Sequence, residues 1–264
     1  MKSNNFSIGI FDSGVGGTSI WKEITTLLPN ENTIYLSDSK NAPYGEKTKE
    51  KITELSIKNI DFLLSKNCKL IIVACNTATT NSIKKLREKY SVPIIGIEPA
   101  IKPAALKTST NTIGILATKG TLNSELFEKT SNTINKEITI KETVGKGLVE
   151  LIESGKKDSP KMKELLELYI KPMLIENVDC LVLGCTHYPY LIPQIREIVG
   201  KNIQIIDSGE AVARQTQNIL EKHFLLNLNS SNGVHEFYIN KSKETLERLI
   251  KDDNKSIKVL EKNF

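Results

Sequence analysis

Two passages of this chain occur twice. Ile8-Gly9-Ile10-Phe11 returns as Ile113-Gly114-Ile115-Leu116, 113 − 8 = 105 residues later. Ile71–Thr77 (IIVACNT) returns as Leu181–His187 (LVLGCTH), with the two cysteines 185 − 75 = 110 residues apart. Each passage opens on a β-branched or aliphatic run of the kind that forms a strand buried on both faces. Repetition in the same order and at nearly the same offset points to two lobes built on one βαβαβαβ plan.

The rest of the pattern agrees. Strands are expected over Ser7–Phe11, Thr33–Asp38, Leu70–Cys75 and Pro93–Glu98, with helices over Thr18–Leu28, Glu46–Lys66 and Thr77–Tyr90 between them. The series restarts with strands at Thr112–Thr118, Ile138–Thr143, Asp179–Cys185 and Ile203–Asp207. Helices are read over Thr121–Ser131, from Gly147 with a break near Ser159-Pro160, and over Pro189–Val199 and Gly209–Leu226. The tail offers a strand at Glu236–Ile239, a helix at Lys241–Lys251 and a short end. The fold class is therefore α/β: two pseudo-symmetric lobes, each a mostly parallel sheet flanked by helices. The expected division is 1–98 with 212–264 as the N-terminal lobe and 99–211 as the second. In such sheets ligands bind beyond the carboxyl ends of the strands, so the site is expected in the cleft between the lobes.

Several function classes fall away. No apolar run approaches the ~20 residues that span a bilayer, so no membrane association is read. The polar start, Met1 to Phe6, has no apolar leader segment, which argues against secretion. Net charge is 36 − 31 = +5, but the lysines are scattered among glutamates, so nucleic-acid binding is not read either. Four cysteines in a chain this long are not a disulfide framework.

Strand ends gather the chemistry. The first strand ends in Asp12-Ser13-Gly14-Val15-Gly16-Gly17 and the third in Cys75-Asn76-Thr77. Their counterparts end in Thr118 and in Cys185-Thr186-His187. A thiolate is a nucleophile, a metal ligand or a general base. Cys68 and Cys180 have no polar following motif and read as small apolar core residues, whereas Cys75 and Cys185 stand at matching places and would face each other across the cleft. Cys75, Cys185 and His187 could hold zinc, but no CxxC or HxxxH spacing supports it. The glycine run lacks the dinucleotide and P-loop spacings, so it is read as a loop whose N–H groups approach a small carboxylate. The alternative for Asp12 is a turn or helix cap. Asn41–Glu46 is either a plain turn or a loop offering backbone N–H groups and an aromatic wall to the cleft.

DSGVGG (Asp12–Gly17), APYG (Ala42–Gly45), ACNTAT (Ala74–Thr79) and GCTHYP (Gly184–Pro189), in this order, resemble the motifs of the aspartate/glutamate racemase superfamily, and within it the glutamate racemases. The likeness runs from about Ile8 to Ala211. It implies a two-lobed α/β fold, no cofactor, no metal, and two opposed cysteine acid/bases, here Cys75 and Cys185. It implies substrate contacts from Asp12, Ser13, Tyr44, Gly45, Asn76, Thr77, Thr118, Thr186 and His187. Asp12 would assist Cys75, and His187 would assist Cys185. A glutamate before the helix break assists the second cysteine in such proteins; Glu153, followed by Ser154-Gly155, matches better than Glu150. The aspartate-specific relatives resemble the chain less.

The implied reaction is interconversion of L- and D-glutamate, with Cys75 taking the Cα proton of the D form and Cys185 that of the L form. Groups on opposite faces of one carbon accomplish this without turning the substrate over. The same likeness implies a cytoplasmic enzyme that supplies D-glutamate for peptidoglycan and is often a homodimer. A small-anion binding protein of two lobes is the competing class; it explains the hydroxyls and glycines and gives no reason for paired thiols.

Overall fold

The computed structural model describes residues 4–251 and 255–264. The start of the polar N-terminus, residues 1–3, lies outside them. The first sheet is built from β1 (Ile8–Asp12), β2 (Thr33–Ser37), β3 (Leu70–Val73) and β4 (Ile94–Gly96), and the second from β5 (Thr112–Ala117), β6 (Thr139–Val144), β7 (Cys180–Gly184) and β8 (Gln204–Ile206). The tail supplies β9 (Val234–Ile239) and β10 (Ser256–Glu261). Sheet orders are β10-β9-β2-β1-β3-β4 and β6-β5-β7-β8, with every pairing parallel. The order β2-β1-β3-β4 thus recurs as β6-β5-β7-β8, which makes β1 equivalent to β5 and β3 to β7, as the repeated passages suggest.

Helices cover the sheets. They are α1 (Thr18–Leu27), α2 (Lys49–Ser65), α3 (Asn76–Lys89), α4 (Ile101–Lys107), α5 (Lys119–Leu122), α6 (Glu125–Ser131), α7 (Leu148–Glu153), α8 (Pro160–Ile175), α9 (Ile192–Val199), α10 (Gly209–Lys222) and α11 (Glu244–Ile250). Side chains alternate faces along each strand. In β3, Leu70 and Ile72 pack with Trp21 and Ile24 of α1, while Ile71 and Val73 pack with Leu55 and Ile60 of α2 and Leu86 of α3. The first of these clusters continues through Leu116, Leu183 and Val212, so one core joins the two sheets. Both faces of the central strands are thereby dry, which explains the unbroken apolar sequences.

Three elements differ from expectation. The helix read over Thr121–Ser131 is two, because the Ser124 hydroxyl accepts the Phe127 N–H and starts a new helix. The segment around Pro99 and Pro103 forms α4, with Pro103 in its first turn, where the missing N–H costs nothing. The short end forms β10, a half-exposed edge strand whose SIKVLE sequence alternates only weakly between apolar and polar residues.

The carboxyl ends align. Asp12 pairs with Ser37, and Ala117 pairs with both Val144 and Gly184. Residues that follow these ends therefore collect at one rim of each sheet. At the opposite rim the buried Lys69 ammonium pairs with Glu31 at 2.6 Å and donates to the Leu225 carbonyl at 2.8 Å. Glu31 in turn accepts the Asn227 N–H at 2.7 Å, so the passage from α10 to β9 is tied down.

Candidate active site

Cys75 follows β3 and is the N-cap of α3, its sulfur accepting the Ala78 N–H at 3.4 Å. Its Sγ also lies 3.5 Å from Ser13 Oγ. Cys185 follows β7, with Sγ 3.7 Å from His187 Nδ1. Both are free thiols, 4% and 7% exposed. Both line one narrow cavity between the lobes, with Ser13, Asn76, Thr118 and Thr186 among its other walls. The cavity is about 10 Å³, the scale of a single water molecule.

Around Cys185 the chain builds a relay. His187 Nε2 lies 2.6 Å from Glu153 Oε1, with both side chains buried. The Gly16 N–H also points at Nε2, at 3.2 Å, while Nδ1 faces the sulfur. Glu153 also accepts the Val15 N–H on Oε1 and the Ser39 hydroxyl on Oε2, each at 2.6 Å. Burial works against charge on Glu153, yet the hydrogen bond and charge of His187, with Ser39 and Val15, hold its carboxyl below the usual carboxylate range. Burial likewise works against charge on His187. The hydrogen bonds to Cys185 and Glu153 outweigh it and hold the imidazole well above its ordinary value.

Around Cys75 the surroundings differ. Burial, then the Asp12 carboxylate, pushes the Cys75 thiol far up, only partly offset by Ser13 and the Ala78 N–H. Asp12 makes no hydrogen bond to this sulfur; it accepts the Gly17 N–H at 2.9 Å and the Thr186 hydroxyl at 3.3 Å, the second across the lobes. Burial pushes its carboxyl up to about 6, against the pull of His187 and the Gly17 N–H.

The glycine loop works differently from expectation. A small carboxylate was expected at its N–H groups, but Val15 and Gly17 donate to the chain's own Glu153 and Asp12. The glycines make room. A β-carbon on Gly14 would overlap the Glu153 carboxylate, one on Gly16 would overlap the His187 ring, and one on Gly17 would lie 2.7 Å from Asp12 Cβ.

Of the remaining predicted residues, Thr77 and Thr118 share a hydrogen bond of 2.7 Å across the lobes, and Thr121 joins both at 3.2 and 3.0 Å. Tyr44 and Gly45 line the cavity, but the Tyr44 hydroxyl donates to Asp38 Oδ2 at 2.5 Å, so only its ring contributes to the wall. Asn76 is the exception among these side chains: its Oδ1 and Nδ2 are buried without a partner. Leaving such groups unpaired costs about 1–3 kcal/mol each, a cost that a bound ligand would remove. Glu150 does not reach this cavity. It lines a larger outer one of about 650 Å³ with Lys47, Lys119 and Lys146, which shares Pro43, Gly45, Thr118 and Val149 with the inner cavity as common walls. Val149 and Ser39 were missed in the sequence; Ser39 stands 114 positions from its partner and carries no local signal. Among the described residues no three His, Cys, Asp or Glu side chains are grouped as metal ligands, and no helix is long and apolar enough to cross a membrane.

A family model described as Asp/Glu/Hydantoin racemase matches residues 8–216. A glutamate racemase of Ectopseudomonas mendocina is 44% identical over 227 residues, 86% of each chain. Among solved structures, a glutamate racemase of Bacillus anthracis superposes with a TM-score of 0.86 at 30% identity, covering 97% of this chain and 98% of that one. The Escherichia coli glutamate racemase, solved with L-glutamate and the activator UDP-MurNAc-Ala, superposes with a TM-score of 0.85 at 32% identity over 97% of each chain.

Proposed function

The chain belongs to the Asp/Glu/Hydantoin racemase family, and we propose that it interconverts L- and D-glutamate without a cofactor, using Cys75 and Cys185 as opposed acid and base. The observation that carries this reading is the pair of free sulfurs at equivalent strand ends of two sheets, both lining one cavity that also holds the unpaired amide of Asn76.

In this mechanism one sulfur is thiolate and the other thiol. With L-glutamate, the Cys185 thiolate takes the Cα proton, and the C–H electron pair passes to carbon and into the adjacent carboxylate. The Cys75 S–H then protonates carbon from the opposite face, yielding D-glutamate and a Cys75 thiolate. The reverse reaction begins from that state. His187, charged and backed by Glu153, stabilises a Cys185 thiolate. A Cys75 thiolate receives the α3 N-terminus and the Ala78 N–H. Carbanion character is the hard part of the reaction. Donors from Ser13, Asn76, Thr77 and Thr186 around the substrate carboxylate supply electrostatic stabilisation, of the kind worth about 3–4 kcal/mol per well-placed donor. No lysine lines the inner cavity, so no side chain there offers a Schiff base. We assign residues 1–98 with 212–264 to one lobe and 99–211 to the other. We place the enzyme in the cytoplasm, as a source of D-glutamate for peptidoglycan.

Deuterium exchange tests the assignment. Cys185→Ala should exchange the Cα proton of D-glutamate with solvent deuterium while failing to racemise it. Cys75→Ala should do the same for L-glutamate only. Full racemisation by either variant would refute the two-thiol reading.

A further inference from the structure

Glu153 is gripped by groups outside every recognised motif. Ser39 donates to its Oε2 at 2.6 Å, and Thr245 of α11 donates to its backbone carbonyl at 3.2 Å. Ser39 begins the single helical turn Ser39–Asn41, and that turn is held from the tail. Asn240, the residue after β9, accepts the Lys40 N–H on Oδ1 at 2.8 Å and donates from Nδ2 to Asp38 Oδ1 at 2.5 Å. The Asn240 side chain thus bridges the residues on either side of Ser39. Asn240 and Thr245 both belong to the β9-α11-β10 unit that extends the first sheet, and both converge on Glu153.

We propose that Ser39, seated by Asn240, is a positioning residue that locks the Glu153 carboxylate onto His187 and so poises Cys185, with the C-terminal unit as its brace. This rests on the reading of Cys185 as one of the two bases. The groups facing Glu153 from the packed elements are His187 and Ser39 by contact, the nearby Asp12 carboxyl, the neutral Tyr35 phenol, and Arg248 of α11, which lies against the next turn at Gly155. Val15 donates from the backbone, so Ser39 is the one neutral side chain that holds the carboxylate oxygen itself.

The test compares Ser39→Ala and Asn240→Ala with the unmodified chain by two readouts. One is the ¹⁵N titration of the His187 ring, resolved from the other two histidines. The other is the pH profile of kcat/KM for glutamate. Loss of a hydrogen bond to the charged carboxylate should let Glu153 protonate about one pH unit higher. The acid limb of the profile should then rise by the same amount, and the His187 titration should change with it. Asn240→Ala should give a smaller shift in the same sense, and the double variant no more than Ser39→Ala alone. A His187 titration in Ser39→Ala that superposes on that of the unmodified chain overturns the proposal, as does a rate that falls equally at every pH. If Ser39→Ala does not fold, Asn240→Ala carries the same two readouts. The ring titration needs no substrate, so failure of the unmodified chain to racemise glutamate would count against the function and not against this positioning role.

Discussion

A β-carbon on Gly14 would occupy the space of the Glu153 carboxylate, 139 positions away in the chain. The glycine run after β1 is therefore a mould for the Glu153–His187 pair of the other lobe. None of Gly14, Gly16 and Gly17 has a positive φ, so space, and not backbone freedom, requires glycine there.

Gly14→Ala should consequently leave the protein folded and displace Glu153. The expected loss in kcat/KM is about 100-fold, the scale set by misplacing a catalytic group by an ångström. Circular dichroism and steady-state kinetics check it together. An alanine variant with full activity would mean that Glu153 can move without consequence.

Glu153→Gln keeps the shape and removes the charge. Glu153 is held below its ordinary range, so its share of stability is present above the usual carboxylate range and is lost as pH falls through the depressed value. His187 is held above its ordinary value, so its share is complete below about 6.5 and is lost as pH rises through the elevated value. The unmodified chain should hold this pair across neutrality. The variant should lose about 3 kcal/mol there, as when one partner of a buried pair is removed. Urea titrations at several pH values measure this.

Asp12→Asn should separate stability from activity. The Asp12 carboxyl is raised to about 6 by burial. The unfolded chain therefore ionises this group from about pH 4 while the folded chain keeps its proton up to about 6, so stability falls across that window by roughly 3 kcal/mol for a shift of about two units. The variant should escape that loss, and its advantage over the parent should grow up to pH 6 and then stay level. Its racemisation should fall, because the Thr186 hydroxyl and the Gly17 N–H lose the charged acceptor that orients them.

Cys68→Ala with Cys180→Ala should racemise normally. Cys68 is a core residue whose thiol burial pushes up to about 12, and Cys180 lies within β7. Thiol titration of the native double variant, compared with its activity, checks that the two remaining sulfurs are sufficient. Removing a small buried side chain costs about 1 kcal/mol, so Tm should drop by only a few degrees.

Much of this was legible in the chain because the period of the apolar residues changes from strand to helix with few exceptions. The repeated Ile8 and Ile113 passages give the strand equivalence, and the polar residues after β3 and β7 mark the sulfurs. What stayed hidden depends on long-range packing. Glu153 is preferred to Glu150, one turn away on α7, only for the Ser154-Gly155 that follows it in the sequence; its contacts with His187, Ser39 and Val15 depend on packing that no local pattern records. Ser39, Asn240 and Thr245 reach Glu153 from the 38–41 turn and the tail, across separations no local pattern records. The glycine run was misread for the same reason: its N–H groups looked free, and their partners lie in the other lobe or one strand end away.

The Thr77–Thr118 hydroxyl pair closes a space far smaller than an amino acid. If glutamate is the substrate, every cycle has to begin and finish with that seam parting. A compound that wedges into the seam from the lysine-lined antechamber would arrest turnover without approaching either sulfur, and its potency would track how often the seam opens.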